Sequence, residues 1–362
     1  MNKKVKLLIL TQKVDKDDDN LGFFHTWLLE FAKSVEQLTV ICLQKGNNNL
    51  PENVKVLSLG KEEGVSRLKY VINFYKYIFQ ERKNYDIVFT HMNPEYVVLG
   101  GLLWRFWKKT ITLWYVHKSV DLKLVIAEKF VHKIFTATKS SFRLKSEKLS
   151  IVGHGIPIEK FVCKKNKQSD LFEIVHIGRI TKIKNISTLI EAVKILKERI
   201  ANMRVVLVGT AITEKDKKYK QMLEEKVKEY ALSKIVFFAG SVPNKEIPAL
   251  YCQADVSVNL SPDGGMDKSV LESAASGVPV ISTNNTFEDF FGDNSQQLLC
   301  SYNNAEELAE KIEQIQKLPS DKLEEIKSFL RERSKKYDVK KLIKKIVFIL
   351  DELQRSLSVK KS

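Results

Sequence analysis

Residues 256–283 read VSVNLSPDGGMDKSVLESAASGVPVIST, and this stretch decides the fold. Residues 256–260 alternate and are rich in β-branched side chains, which predicts a short strand. Lys268–Ser276 contains good helix formers, and Gly277 stands where helices commonly end in a left-handed residue. The apolar run 278–281 then predicts another strand. This order of strand, loop, helix and strand is typical of an α/β protein with a parallel sheet.

The loop before the predicted helix favours an anion site. Pro262 ends the strand because it lacks an N–H donor, and the pair Gly264 and Gly265 permits unusual backbone angles. The helix that begins near Lys268 offers free N–H groups and about half a positive charge at its N-terminus. Glu272 lies about one turn later, where its carboxylate can accept hydrogen bonds from a ligand. We therefore predict a binding site for an anionic ligand here.

Residues 271–280, LESAASGVPV, closely resemble the Leu-Glu-Ala-x-Ala-x-Gly-x-Pro-Val segment of the family 4 retaining glycosyltransferases. That family has the two-Rossmann GT-B fold and carries two Glu separated by seven residues. Glu272 matches the second, but Gly264 occupies the position of the first. The run 264–268, GGMDK, resembles instead a subgroup with Gly-x-x-Asp-Lys. The difference leaves open which donor sugar is used.

A second motif follows the predicted strand 173–177. Residues 178–185, GRITKIKN, resemble the family's Gly-Arg-x-x-x-x-Lys-Gly/Asn motif. Two cations, Arg179 and Lys184, would then neutralise a leaving nucleoside diphosphate. The resemblance implies a metal-independent reaction with retention of configuration, in which a diphosphate oxygen takes the acceptor's proton. The alternative is a helix start with two solvated cations.

The resemblance assigns further site residues. His117 follows the predicted strand 110–116, at the strand end where α/β sheets place their sites, and would contact the donor sugar and the reaction centre. A lone His is otherwise more often structural. Gly22 and Lys118 are expected on the acceptor side, and Glu272 is expected to hold the ribose hydroxyls. The expected donor-binding residues are Gly178, Gly209, Gly240, Val242, Gly264, Gly265, Met266, Asp267, Lys268, Ser269 and Glu272.

The 362 residues suit two domains rather than one core. We expect an α/β protein with two Rossmann-like domains facing across a cleft, as in GT-B. Residues 1–165 would form the acceptor-side domain and 166–335 the domain that binds the nucleotide sugar, joined by a polar linker at 163–170. Residues 336–362 are expected to form a helix that packs back on the N-terminal domain.

The net charge of +16 suggests an anionic partner. Residues 101–150 hold 11 Lys or Arg against 3 Asp or Glu, together with Trp104, Phe106, Trp107 and Trp114. Aromatic and cationic residues at a helix end suit a membrane interface, although a helix packed on the sheet with solvated cations is the alternative. We expect an anionic membrane surface as a partner, at the inner face, and a glycan or polyprenyl-linked acceptor.

Other classes of protein are disfavoured by what the sequence lacks. No strand is followed by Gly-x-Gly-x-x-Gly, which argues against a dehydrogenase, and no motif supports a nucleic-acid partner. The acidic run 15–19 fails the calcium-loop pattern, so no metal is expected. Four scattered Cys indicate neither a disulfide nor a metal site and favour the cytoplasm. The prediction is a cytoplasmic glycosyltransferase using a UDP or GDP sugar as substrate and no cofactor; a catalytically weak sugar-binding relative is the alternative.

Overall fold

The structure, a computed structural model, describes residues 5–19, 21–163 and 170–359. The described residues form two compact units. One contains the residues up to Gly155 together with those from Val339 onward, and the other contains Ile156–Asp338. The chain thus divides at Gly155 and Ile156, whereas the expected boundary between residues 165 and 166 lies outside the described residues.

Within the described residues, the first unit is built on a parallel sheet of seven strands in the order β3-β2-β1-β4-β5-β6-β7. Its central strands are buried at every position, because both faces of the sheet are covered by helices. The strands are β1 (Lys6–Val14), β2 (Gln37–Lys45), β3 (Val54–Ser58), β4 (Ile87–His91), β5 (Thr110–Trp114), β6 (Lys133–Thr136) and β7 (Leu149–Ile151). The helices are α1 (Gly22–Ser34), α2 (Arg67–Gln80), α3 (Pro94–Phe106) and α4 (Leu122–Phe130), the last in a stretch where no element is predicted.

The second unit has a five-stranded parallel sheet, again counted over the described residues, in the order β10-β9-β8-β11-β12. The strands are β8 (Phe172–Ile177), β9 (Met203–Val208), β10 (Val236–Gly240), β11 (Val256–Asn259) and β12 (Val280–Ser282). The helices are α5 (Ile186–Leu196), α6 (Glu214–Glu229), α7 (Ile247–Gln253), α8 (Lys268–Ser276), α9 (Glu288–Phe291), α10 (Ser295–Leu298), α11 (Ala305–Lys317) and α12 (Ser320–Ser334). The strand order reverses between β8 and β11, and such switch points are where open α/β sheets bind ligands.

The stretch 256–283 folds as predicted. It forms β11, a loop, α8 and β12, and Gly277 ends α8 in the left-handed region at φ 70°. After β12 the chain forms a short helix, Ser295–Leu298, and Leu299 then bridges Ser282. The Ser295 hydroxyl donates to the carbonyls of Glu288 and Gly292, which holds the first residue of this helix against the preceding turn.

Cys163 and Cys252 form a disulfide, so the prediction of four unpaired thiols is wrong. The two residues lie 89 positions apart in the sequence, but their Cα atoms are 5.4 Å apart. Phe161 packs edge-to-face on Tyr251 of α7, with ring centroids 6.1 Å apart, and this contact brings the preceding segment beside the helix. Cys42 and Cys300 are free and buried.

The chain ends with a long helix, α13 (Val339–Val359), which belongs to the first unit and packs on α1. Its apolar residues recur at helical spacing and join the core beside β1 and β2, namely Val339, Leu342, Ile343, Ile346, Val347 and Leu350. None of the helices in the described part of the chain combines the length and hydropathy that crossing a bilayer requires.

The aromatic side chains of α2 and α3 differ widely in their burial. On α2, Phe79 is 56% exposed while Phe74 is buried. Trp104 is fully buried, as the alternative of a helix packed on the sheet predicts, and Trp114 of β5 is fully buried as well. The indole N–H of Trp104 donates to the Tyr85 hydroxyl, so this ring serves the core.

Candidate active site

Three predicted glycines lie together at the carboxyl ends of neighbouring strands. The Gly178 N–H donates to the Val208 carbonyl at 3.0 Å, and the Gly209 N–H donates to the Gly240 carbonyl at 2.7 Å. A Cβ on Gly209 would lie 1.9 Å from the Gly178 carbonyl oxygen, and Gly209 has φ +137°. Only glycine permits this backbone-on-backbone packing, which lines the edge of the sheet with peptide groups.

Lys184 joins the two sequence motifs. Its ammonium donates to both Asp267 carboxylate oxygens at 3.1 Å and to the Ser261 hydroxyl at 2.9 Å. Lys184 follows β8, and Asp267 precedes α8 beyond β11, so the contact spans the point where the strand order reverses. Asn185 follows Lys184 in the left-handed conformation and begins α5. The structure therefore places the predicted diphosphate cation directly against the predicted donor loop.

The Lys184–Asp267 pair carries compensating charges. Burial alone would raise the pKa of Asp267, but the Lys184 ammonium and hydrogen bonds from Ser261 and Asn259 outweigh it and lower that pKa. Asp267 is thus ionised at neutral pH and offsets the charge of Lys184. Arg179 is exposed and, within the described residues, makes neither a hydrogen bond nor an ion pair. Arg179 and Lys182 are thus the exposed cations that follow β8, while the charge of Lys184 is offset by Asp267.

Residues after β12 hold the donor loop 261–267. The Thr286 hydroxyl accepts the Gly264 N–H at 3.1 Å, and the Asn284 side-chain amide donates to the Gly265 carbonyl at 2.6 Å. Gly264 has φ +101°, which glycine adopts without strain. Asn284 and Thr286 were not predicted from the sequence, although a polar run directly after a strand end was a signal for them.

The first turns of α8 carry a charged pair. Burial lowers the pKa of Lys268, against the attraction of Glu272 four residues later on the same helix face. Burial also raises the pKa of Glu272, and the Lys268 ammonium opposes that rise. The Ser269 hydroxyl accepts the Asn259 side-chain amide at 2.9 Å. The other two predicted donor contacts, Met266 and Val242, are half-buried against the core of the second unit.

His176 is a buried residue beside the predicted site that sequence reasoning missed, because it lies inside the apolar strand β8. Its Nδ1–H donates to the Val258 carbonyl of β11 at 3.0 Å. Within the described chain its Nε2 has no partner, and a Cβ placed on Gly178 would lie 3.6 Å from this atom. Burial, reinforced by the Lys184 charge, lowers the pKa of His176 to about 4. A neutral His176 thus fastens β8 to β11 beneath the candidate site.

The first unit holds the candidate for the reaction centre, His117, and the acceptor-side candidates Gly22 and Lys118. His117 is exposed beyond the carboxyl end of β5, with its Nδ1 3.1 Å from the Ser119 hydroxyl oxygen. Lys118 follows it and is half-buried. Gly22 is the buried first residue of α1, and its N–H donates to the Asp18 carbonyl at 2.9 Å.

The acidic run 15–19 is engaged by a lysine. The Lys13 ammonium lies 3.2 Å from an Asp15 carboxylate oxygen and 2.6 Å from one of Asp18. Among the residues that the structure describes, no three His, Cys, Asp or Glu side chains are grouped so that they could hold a metal ion.

The chain folds into two parallel α/β units. The second unit has a glycine-lined strand edge and a helix N-terminus beside paired charges. These features define a protein with the GT-B fold. Residues 157–336 match the family described as Glycosyl transferases group 1. The second unit therefore belongs to this family, as the two motifs predict. The crystal structure of Anabaena Alr3699/HepE in complex with UDP and glucose has a TM-score of 0.76 at 18% identity, covering 96% of this chain and 99% of HepE. This likeness confirms the fold.

Curated relatives match over shorter regions. WcaL of Salmonella typhimurium, named as a colanic acid biosynthesis glycosyltransferase, is 23% identical over 281 residues, which are 75% of this chain and 61% of WcaL. The chain thus spans about three-fifths of that relative's length. CapM of Staphylococcus aureus, a capsular polysaccharide biosynthesis glycosyltransferase, is 32% identical over 103 residues, 25% of this chain and 26% of CapM.

Proposed function

We propose that this chain is a retaining glycosyltransferase that moves a sugar from a nucleotide-diphosphate sugar to a glycan or lipid-linked acceptor, without a metal ion. The observation that carries the proposal is the contact of Lys184 with Asp267, which joins the cationic motif to the donor loop. The relatives named for colanic acid and capsular polysaccharide synthesis support a role in polysaccharide assembly. The corresponding location is the cytoplasm, at the inner face of the membrane.

The proposed reaction breaks the bond between the anomeric carbon and the diphosphate oxygen. Arg179 and Lys184 stabilise the charge that develops on the departing diphosphate, together with the N-terminus of α8. The acceptor hydroxyl oxygen bonds to the anomeric carbon from the face that the diphosphate leaves, and its proton passes to a diphosphate oxygen. His117 would contact the sugar at the reaction centre, with Gly22 and Lys118 on the acceptor side.

The donor is proposed to be a UDP sugar. HepE has the same fold and was crystallised with UDP and glucose, which supports uracil as the base. The turn of Gly240 and Val242 would lie against the base, and Glu272 would accept hydrogen bonds from the ribose hydroxyls. Residues 264–267 would face the sugar.

Gly264 favours one other candidate, a relative that binds a nucleotide sugar and turns it over weakly. The family's first Glu is absent there, and the Gly264 N–H is instead bonded to Thr286. Such a protein would bind the donor but give little transfer. Turnover, rather than binding, separates the two candidates.

Thermal unfolding in the presence of UDP, GDP and ADP sugars tests the proposal. A donor at a hundred times its dissociation constant should stabilise the protein by roughly 2.7 kcal/mol. Transfer or hydrolysis of that donor, measured with and without EDTA, should proceed equally because the protein's cations supply the charge. The proposal fails if no nucleotide sugar stabilises the protein, and its metal independence fails if EDTA abolishes turnover and Mg²⁺ restores it.

Replacing Glu272 with Gln is expected to weaken donor binding about tenfold or more, since a hydrogen bond to a charged group contributes about 1.5–3 kcal/mol. Isothermal titration calorimetry with the donor measures the change. Glu229→Gln, on the exposed side of α6, is the matched control and should leave the dissociation constant unchanged. Equal donor affinity in the Glu272→Gln variant and the wild type would make Glu272 a structural helix residue.

A further inference from the structure

The exposed faces of α2 and α3 carry a continuous apolar stripe. On α2 the exposed apolar residues are spaced four, three and four positions apart, which places them along one side of the helix. We define the α2–α3 ridge as Leu68, Ile72, Tyr75 and Phe79 of α2 with Leu102 and Phe106 of α3. Exposed fractions of 70% for Leu68 and 81% for Phe106 show how much of this surface faces solvent. Contiguous apolar surface of this kind marks an interaction site.

Contacts between the helices make the ridge one surface. The Tyr75 hydroxyl donates to the Leu99 carbonyl of α3 at 3.0 Å. The rings of Phe79 and Trp107 meet edge-to-face, with their centroids 6.1 Å apart. Beneath them, Phe74 and Trp104 pack in the core at 6.0 Å. The ridge is therefore anchored to the sheet and does not depend on mobile side chains for its shape.

The surroundings of the ridge are cationic. Residues 67–109 contain eight Lys or Arg and three Asp or Glu, and α2 itself has no acidic residue. All three acids are in ion pairs, namely Glu81 with Lys55, Asp86 with Lys109 and Glu95 with Lys123. The Arg82 guanidinium lies over the Phe79 ring, 4.1 Å from its centroid. Cations thus border the apolar stripe, and each of the three carboxylates in this segment is held in an ion pair.

We propose that the α2–α3 ridge docks onto a bilayer that contains acidic lipids. Apolar side chains enter the interface while neighbouring cations meet phosphate headgroups, which is the arrangement of interfacial helices. The charge around the ridge selects an acidic lipid surface over a second copy of this chain, because two copies would bring like charges together. This docking rests on the proposed function in one respect, because its purpose would be to bring the enzyme to a lipid-linked acceptor.

Vesicle sedimentation tests the docking. Vesicles of roughly two parts phosphatidylcholine to one part phosphatidylglycerol should bind the full chain at low salt, and phosphatidylcholine alone should not. The double substitution Ile72→Ser and Phe79→Ser should lower the vesicle affinity about tenfold or more, since it removes two exposed apolar groups from the interface. Phe348→Ser is the matched control, because Phe348 is 55% exposed on α13 of the same unit. It should bind vesicles like the wild type.

Native tryptophan fluorescence reports which surface inserts. Trp27, Trp104 and Trp114 are buried, and Trp107 beside Phe79 is the half-exposed tryptophan. Acidic vesicles with brominated acyl chains should therefore quench Trp107. UDP binding, measured on each variant, should stay unchanged, so a failed donor site and a failed docking surface are distinguishable. The proposal is overturned if the protein does not bind vesicles, or if it binds them without quenching of Trp107. It is also overturned if the Phe348→Ser control loses as much vesicle affinity as the double variant, or if the protein forms a dimer that the double substitution abolishes.

Discussion

Replacing Lys184 with alanine is expected to lower kcat by about a hundredfold or more, because a preorganised charge contact to a developing anion contributes on the order of 3 kcal/mol. The ammonium is held by Asp267 and Ser261 before any ligand arrives, so it does not have to reorganise during the reaction. Steady-state transfer of the donor found by thermal unfolding measures the change. Arg179→Ala should cause a loss of similar size.

A second substitution separates two explanations of that loss. In the Lys184→Ala variant, Asp267 loses the ammonium that it contacts, and its carboxylate charge would repel a diphosphate. Lys184→Ala combined with Asp267→Asn removes the repulsion. If Lys184 contacts the diphosphate, the double variant stays far below the wild type. If Lys184 only balances Asp267, most of the kcat returns.

Lys182→Ala is the matched control for both cations. Lys182 is exposed in the same turn, and no ion pair is found for it within the described residues. Its replacement should leave kcat within about threefold of the wild type, since a solvated surface charge contributes little. Should Arg179→Ala and Lys184→Ala also stay within that range, the assignment of the diphosphate cations is wrong.

The local part of the site could be predicted from sequence. The strand, loop and helix of residues 256–283 follow from side-chain alternation, helix propensity and Gly277, all of which act within a few residues. Each half of the Lys184–Asp267 pair was also assigned from its own motif. The ion pair itself was not predicted, because it depends on β8 lying beside β11, and strand order is a property of the whole unit.

The wrong and missing predictions have the same cause, namely contacts between residues that are distant in the sequence. Cys163 and Cys252 are distant in sequence, and their bond depends on Phe161 packing against α7. On α2, aromatic residues occur on both faces of the helix, so periodicity predicts a helix without showing which face the sheet covers. The exposure of Phe79 and the burial of Trp104 therefore became visible with the fold. His176 was missed for the same reason, since the sequence of an apolar strand does not show which residues surround a histidine within it.

Replacing Gly209 with alanine is expected to destabilise the second unit by about 3 kcal/mol or more, since steric overlap and backbone strain each cost roughly 1–3 kcal/mol. The new Cβ would lie 1.9 Å from the Gly178 carbonyl oxygen, and φ at +137° disfavours any side chain. Because Gly178 precedes Arg179, the displacement should also weaken UDP binding. Urea unfolding measures the first effect and calorimetry the second.

Gly240→Ala separates the steric effect from the backbone effect. Gly240 also has a positive φ, +73°, but a Cβ there would meet no atom within 4 Å. Replacing Gly240 with alanine should therefore lower the free energy of unfolding only by the cost of the left-handed backbone conformation, about 1–2 kcal/mol. A larger loss in Gly209→Ala than in Gly240→Ala, accompanied by weaker UDP binding, would show that contact between the Gly178 and Gly209 backbones shapes the diphosphate site. Equal losses in the two variants would mean that the β8 and β9 loops move apart at little cost, and the close approach would then have no bearing on binding.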